Sequence, residues 1–109
     1  MLASMVTTGQ TLPGYTITRN LGVVRGITVR SRSIVGNFFG SLQTLFGGNI
    51  TIYTNLCERA RAETYQLMCR EASALGANAI IAMRFDTGEM MQMGTEICAY
   101  GTACKVTKL

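Results

Sequence analysis

One long amphipathic helix pattern, set between segments that alternate in polarity, constrains the fold of this chain most. Residues 49–75 carry an apolar stripe at helical spacing and charged residues on the remaining side. Gly76 follows, at a place where glycine commonly ends a helix. In a chain of 109 residues, one such helix can cover one face of one small sheet. The stripe consists of Tyr53, Leu56, Ala60, Leu67, Met68, Ala72 and Leu75.

Alternation with a period of two predicts the strands of that sheet. Between Tyr15 and Arg30, apolar residues share one parity and polar residues share the other, which is typical of a half-buried strand. Gly22 and Gly26 interrupt this segment and predict a bulge or bend. Residues 79–86 begin with apolar side chains at both parities, so we expect this strand to be central. The other predicted segments are a short β-prone run at 5–8, a loop at 88–94 and a last strand at 95–105.

These elements predict one α+β two-layer domain over residues 1–109, with an antiparallel sheet covered by one long helix. Only 15% of the residues are charged, against about 25% in a typical soluble domain. Residues 33–57 carry no charge at all, and within them residues 34–46 repeat apolar side chains at helical spacing. We therefore expect a short apolar helix there that buries its face against other subunits. The predicted interface residues are Ile34, Phe38, Phe39, Leu42 and Phe46.

Several short segments, in order along the chain, resemble one family of small prokaryotic proteins. They are Val6-Thr7-Thr8, Leu21-Gly22-Val23-Val24-Arg25-Gly26, Phe38-Phe39-Gly40, Gly47-Gly48, Ala60-Arg61-Ala62, Leu75-Gly76-Ala77-Asn78-Ala79-Ile80, Arg84-Phe85-Asp86 and Ala99-Tyr100-Gly101-Thr102-Ala103. The family is the YbjQ-like family, described as candidate heavy-metal-binding proteins of unknown function. The sequence departs from its pattern at Gly36-Asn37, where relatives often carry Arg-Asp, and in having Cys57 and Cys69.

The resemblance implies a dodecin-like β-α-β-β unit with antiparallel strands. It also implies a ring-shaped homo-oligomer, a pentamer or a multiple of one. In such a ring, extra short strands and the apolar helix at residues 34–46 join the subunits. A ring of this kind agrees with the shortage of surface charge.

The four cysteines are the candidate ligands for a soft heavy-metal ion, because the chain contains no histidine. Cys57 and Cys69 are twelve residues apart, about 18 Å along one helix. Cys98 and Cys104 are six residues apart, about 20 Å along one strand. A tetrahedral site needs its sulfurs within about 4 Å of each other, so a site must join helix to sheet or join subunits. Buried structural thiols are the favoured alternative. Met90, Met91 and Met93 are further soft ligands, suited to Cu(I).

A second candidate site contains acids and arginines from the last two strands. Arg84, Asp86, Glu89 and Glu96 come together if those strands pair, and a carboxylate pair can perform acid–base chemistry where burial raises one pKa. An ordinary ion pair in the sheet is the favoured interpretation. If the site lies between subunits, Arg19 and Arg25 extend it. This is the basis of an alternative hypothesis, an enzyme of unknown reaction.

The charge distribution bears on partners and location. The net charge is +4, and the whole excess lies in residues 1–57, which contain no acid. Without a basic run or a nucleic-acid-binding motif, we do not expect nucleic acid as a partner. The uncharged helix at 34–46 lacks the cationic face of a membrane-surface helix, and neither a signal-peptide pattern nor a membrane-spanning run is present. We expect a non-enzymatic cytoplasmic oligomer that binds a heavy metal or small ligand at subunit boundaries. The further alternative is a scaffold without a ligand.

Overall fold

The computed structural model describes residues 1–31, 50–89 and 94–109, and their backbone forms a three-stranded antiparallel sheet covered on one face by one helix. This confirms the predicted α+β class. Helix α1 follows the first strand, and two more strands follow the helix, so the order is β-α-β-β. The elements are a 3₁₀ turn at Ala3–Met5, β1 at Tyr15–Ser31, α1 at Ile50–Ala74, β2 at Ala79–Glu89 and β3 at Gly94–Lys108.

The strand order is β1-β3-β2, so β3 is central and the prediction of a central β2 is wrong. The start of β2 is apolar at both parities for another reason. Ile80 packs under α1, whereas Ala79 packs on the other face of the sheet beneath the N-terminal segment, residues 1–14. That segment also pairs with the outer edge of β2. Thr7 N donates to Ile80 O at 2.9 Å, and Met83 N donates to Thr7 O at 3.0 Å.

Two irregularities shape the sheet. The ladder between β1 and β3 shifts register beside Gly22, which has φ 103°, and this confirms the bulge predicted there. The ladder continues without a shift at Gly26, so the irregularity lies at Gly22 alone of the two glycines. In β2 the register shifts between Ile81 and Arg84, and Ala82 adopts a left-handed conformation with φ 52°. Its N–H donates to Gly9 O at 2.7 Å, so the N-terminal segment holds this distortion in place.

Gly26 permits α1 and β1 to touch through their backbones. A Cβ built on Gly26 would lie 2.6 Å from Met68 N and 2.8 Å from Leu67 Cβ, closer than real Cβ atoms approach. Two residues farther along β1, Thr64 Oγ1 donates to Thr28 Oγ1 at 2.9 Å, and both threonines are buried. The hydrogen bond satisfies two polar groups that close packing removes from water. Gly26 and Thr28 therefore fix where the helix lies on the sheet.

The C-terminal end of α1 leads directly into β2. Gly76 has φ 84°, and Ala77 N donates to Ala72 O at 3.1 Å, which closes the helix as its sequence predicts. The side chain of Asn78 then pairs with β3 like a short piece of strand. Asn78 Nδ2 donates to Val106 O at 2.9 Å, and Val106 N donates to Asn78 Oδ1 at 2.8 Å. These bonds set the position at which β2 begins.

Several predictions concern residues outside the described part of the chain. They are the apolar helix at 34–46, with its interface residues Ile34, Phe38, Phe39, Leu42 and Phe46, and the methionines Met90, Met91 and Met93. The predicted loop at 88–94 is wrong at both ends, because Gly88 and Glu89 belong to β2 and Gly94 begins β3. Among the described residues, no helix is long and apolar enough to span a bilayer.

We expect Gly26→Ala to lower the free energy of unfolding by about 3 kcal/mol, as overpacking of a closed contact does. The added methyl group must displace the backbone of α1 around Thr64 and Met68. Gly88→Ala is the matched control, since a Cβ there meets nothing within 4 Å. The control should be neutral or slightly stabilising. Chemical denaturation of both variants measures the difference, and equal stabilities would contradict the close contact.

Candidate functional site

The face of the sheet turned away from α1 carries the candidate site, and we call its uncovered part the open face. Along β1, most side chains on this face are the apolar ones of the alternating pattern. Val23 is 72% exposed, Ile27 42% and Val29 49%. Cross-strand register assigns the open face to Val23, Arg25, Ile27, Val29, Arg84, Asp86, Gly88, Glu96, Cys98, Tyr100 and Thr102.

The helix covers the other parity of β1. Val24, Gly26 and Thr28 lie against α1, and Val24 is fully buried. Gly26 at this parity lets the helix approach because it has no side chain, whereas Ile27 on the other parity would hold the helix away. Sequence reasoning therefore missed Val23, Ile27 and Val29 as surface residues. The signal that could have found them is Gly26, which has no side chain and lies on the parity opposite to theirs.

The polar residues of the open face lie in rows across the three strands. Tyr100 of β3 stands opposite Arg25 on one side and Arg84 on the other. In the next row Cys98 stands between Ile27 and Asp86. In the third, Glu96 stands between Val29 and Gly88. Neighbours within a row have Cβ atoms about 5 Å apart, and diagonal neighbours are about 7–8 Å apart.

This geometry brings only some of the predicted acids and arginines together on the open face. Arg84, Asp86 and Glu96 share the open face with Arg25, as the pairing of the last two strands predicts. Arg84 is already engaged, because its Nη1 donates to Thr8 O at 2.7 Å and to Met83 O at 2.8 Å. This guanidinium ties the N-terminal segment to β2.

The other two residues of that set are Arg19 and Glu89. Arg19 stands opposite Lys105, far along β1 from the charged rows. The side chain of Glu89 lies outside the described part of the structure. The acid–arginine cluster that the structure presents therefore consists of Arg25, Arg84, Asp86 and Glu96.

The cysteines with described side chains occupy three separate environments. Cys69 is buried between α1 and the sheet. Cys104 is fully buried on the opposite face beneath the N-terminal segment, and its thiol donates to Ala79 O at 3.7 Å. Cys98 is half-buried on the open face. Because the sheet separates Cys69 from the other two, these three thiols do not meet within one subunit. The side chain of Cys57 lies outside the described residues.

The donors around Cys98 fit a metal ion only in part. Cys98 offers one soft sulfur, and Asp86 and Glu96 offer harder oxygens on the same face. A closed structural site for a soft ion takes four ligands, with sulfur predominant. In the described ranges, no three His, Cys, Asp or Glu side chains are close enough to hold an ion. Any such site must therefore draw ligands from elsewhere, for instance from another subunit.

The electrostatic surroundings keep the Cys98 thiol protonated. Burial raises the pKa of Cys98, the carboxylates of Glu96 and Asp86 raise it further, and Arg25 opposes them. Burial also raises the pKa of Cys104. Neither thiol resembles an activated nucleophile, which sits in electropositive surroundings. Because the pKa of the Cys98 thiol is raised, an ion that binds through this sulfur must displace the thiol proton.

The fold and open face define a class of small α+β proteins in which one helix covers one side of an antiparallel sheet. A family model described as "Putative heavy-metal-binding" matches residues 4–107, and the chain belongs to this YbjQ-like family. A UPF0145 protein of Chromobacterium violaceum is 67% identical over 107 residues, covering 98% of this chain and 92% of the relative. One from Solibacter usitatus is 56% identical, covering 93% of this chain and 90% of the relative.

A solved structure gives the same picture of the fold. It is a protein of unknown function from Pediococcus pentosaceus that belongs to the DUF74 family, with a TM-score of 0.51 and 17% identity. The match covers 95% of this chain and 96% of that chain. At this identity the similarity concerns the fold alone.

We expect Glu96→Gln to increase the rate at which iodoacetamide alkylates Cys98 at pH 7.5, because the Glu96 carboxylate raises the pKa of this thiol. Removing the carboxylate lowers the thiol pKa, and the thiolate fraction rises tenfold for each unit of pKa. Mass spectrometry of the Cys98 peptide measures the rate separately from the other thiols. The control is Glu58→Gln on the exposed side of α1. An unchanged rate in Glu96→Gln would show that Glu96 does not act on Cys98.

Proposed function

We propose that this protein is the subunit of a homo-oligomeric ring, dodecin-like in its β-α-β-β order, that binds a soft heavy-metal ion or a small ligand at subunit boundaries. A pentamer, or a multiple of one, is the assembly that the family resemblance suggests. The observation that carries the proposal is the open face. Along β1, the apolar side chains of Val23, Ile27 and Val29 on this face are exposed to solvent in the described structure of one subunit.

The free energy gained by burying the apolar side chains of the open face is smaller than the cost of association, so a second surface must contribute to the assembly. Burying the exposed parts of Val23, Ile27 and Val29 is worth about 3 kcal/mol per subunit. Association costs about 4–15 kcal/mol in lost freedom of motion. The interface predicted from sequence, Ile34, Phe38, Phe39, Leu42 and Phe46, supplies further apolar area for this assembly.

The metal part of the proposal is centred on Cys98. Its thiol is the one that lies on the open face, whereas Cys69 and Cys104 are buried and suit structural roles. A subunit boundary can add the ligands that one chain lacks. All three thiols are unpaired, which supports a reducing compartment such as the cytoplasm.

An enzyme of unknown reaction is the second candidate, because Arg25, Arg84, Asp86 and Glu96 share the open face. We rank it lower because the Arg84 guanidinium is engaged by main-chain oxygens. A scaffold without any ligand has the same assembly surfaces. Metal binding separates it from the first proposal.

Light scattering should give the wild-type protein a mass well above the 11.8 kDa of one chain. We expect Val23→Asp to reduce that mass, because a carboxylate on the open face cannot be buried without cost. The control is Leu75→Asp, which alters a side chain that is 49% exposed beyond the end of α1. A monomeric wild type would rule out the assembly, and an unchanged mass in Val23→Asp would remove the open face from it.

Reduced protein titrated with Cu(I), Zn²⁺ or Cd²⁺ should bind at least one of these ions in fixed proportion to the subunit. We expect Cys98→Ser to weaken that binding at least tenfold, whereas Cys104→Ser leaves it unchanged, because Cys104 lies beneath the N-terminal segment. Equilibrium titration against a competing chelator gives the affinities. Absence of binding, or binding that survives the loss of all four cysteines, would contradict a thiolate site.

A further inference from the structure

The outer edge of β2 is paired along only part of its length. Residues 6–9 pair with this edge as far as Met83, whose N–H donates to Thr7 O at 3.0 Å. The strand itself continues to Glu89. Among the described residues, none pairs with the outer edge from Phe85 onwards, and we call this part of β2 the free edge. Unpaired main-chain groups at a sheet edge are a template for another strand.

The main-chain groups of the free edge point outwards at every second residue. Met83 N points away from β3, because it donates to the N-terminal segment. The pairing of β2 with β3 continues without a shift from Arg84 to Glu89, and main-chain direction alternates along a strand. The N–H and C=O groups of Phe85, Thr87 and Glu89 therefore face away from the sheet.

The free edge is uncovered above and below, unlike the edge formed by β1. Phe85 lies on the helix side with Arg61 of α1 5.8 Å from its ring, yet it is 41% exposed. On the opposite side, a Cβ built on Gly88 meets nothing within 4 Å. At β1 the helix reaches the edge, since Arg25 N donates to Glu71 Oε2 at 3.2 Å. A strand can therefore add beside the free edge of β2, whereas α1 obstructs β1.

We infer that the free edges of two copies of this chain pair antiparallel about a two-fold axis that passes beside Thr87, perpendicular to the sheet. Thr87 pairs with the partner's Thr87, and Phe85 pairs with the partner's Glu89. Three residue pairs then exchange two main-chain hydrogen bonds each. The two three-stranded sheets become one continuous sheet with both helices on the same side.

Charge and length select this register. Asp86 comes opposite the partner's Gly88, so no two charges are directly opposed on the open face. A shift of two residues in one direction would place Asp86 opposite the partner's Asp86, and like charges directly opposite each other are destabilising. It would also bring the partner's Glu89 opposite Met83, where residues 6–9 already lie. A shift in the other direction would leave two hydrogen-bonded pairs instead of three.

The same limits favour a second β2 as the occupant of the free edge. β2 ends at Glu89, so the partner's strand stops opposite Phe85, just before the stretch that residues 6–9 occupy. A longer strand such as β1, with 17 residues, would continue into that stretch. The contact also leaves Cys98 uncovered, because this residue lies on the central strand β3 and not at the edge.

This inference rests on the proposed self-association and specifies one of its contacts. An isologous contact joins copies in pairs, so it doubles whatever assembly the other surfaces form. Loss of the contact should therefore halve the mass of the particle.

A disulfide across the axis tests the pairing directly. We expect Thr87→Cys, made together with Cys98→Ser, to form a covalent dimer on mild oxidation. Opposed residues of a hydrogen-bonded pair have Cα atoms about 5.5 Å apart, a distance that a disulfide spans. The matched control is Thr16→Cys in the same Cys98→Ser protein, since Thr16 is an exposed threonine of β1. Non-reducing electrophoresis should show several-fold more dimer for Thr87→Cys than for Thr16→Cys.

A proline at the same position tests the main-chain hydrogen bonds. Thr87→Pro removes an N–H that faces away from β3, so no hydrogen bond within the subunit is lost. We expect this variant to have half of the wild-type mass by light scattering. Thr87→Ala keeps the N–H and should keep the wild-type mass. Chemical denaturation establishes that each variant is folded.

The possible results separate this inference from the proposed function. A monomeric wild type overturns both. An oligomeric wild type in which Thr87→Cys forms no more dimer than Thr16→Cys overturns the edge contact alone. A folded Thr87→Pro protein with the wild-type mass also overturns it. If Thr87→Pro does not fold, the disulfide experiment decides the result.

Discussion

The contact between the backbones of α1 and β1 at Gly26 is the constraint on which the rest of the structure depends. Without a Cβ at this position, the helix lies directly on the strand, and the buried hydrogen bond from Thr64 to Thr28 holds it there. The helix therefore covers the parity of β1 that contains Gly26 and the fully buried Val24. The branched side chains of the other parity are left on the outside, so close packing within the subunit creates the surface available to other subunits.

Local patterns predicted the elements, because a helix and a strand differ in the spacing of their apolar residues. The limits of α1 and the start of β1 agree with the sequence to within one residue. The sequence did not show which face of β1 the helix covers, since alternation distinguishes two faces but does not say what covers each. It also misplaced β2, because the N-terminal segment gives an edge strand the apolar surroundings of a central one.

The sequence predicts which residues belong to the candidate site, but it does not predict how they are arranged. Pairing of the last two strands brings Arg84, Asp86 and Glu96 onto one face, as strand parity indicates. Parity also places Cys98 and Cys104 on one face, yet the N-terminal segment covers only Cys104. The burial of Cys69 on the far side of the sheet depends on how α1 is rotated, which Gly26 determines. The spacing of nearby residues does not predict these effects, because they depend on contacts between segments that are far apart in the sequence.

The N-terminal segment makes three separate structural contributions with a few residues. It completes the edge of β2, covers the apolar cluster of Leu12, Ala79, Cys104 and Val106, and accepts the hydrogen bond from Arg84. If this segment detaches, a free strand edge, an apolar patch and the oxidisable thiol of Cys104 become exposed together. Edge-to-edge aggregation and disulfide crosslinking then become possible at once. The position of any fusion partner or affinity tag therefore matters more at the N-terminal end of these residues than at the exposed C-terminal end.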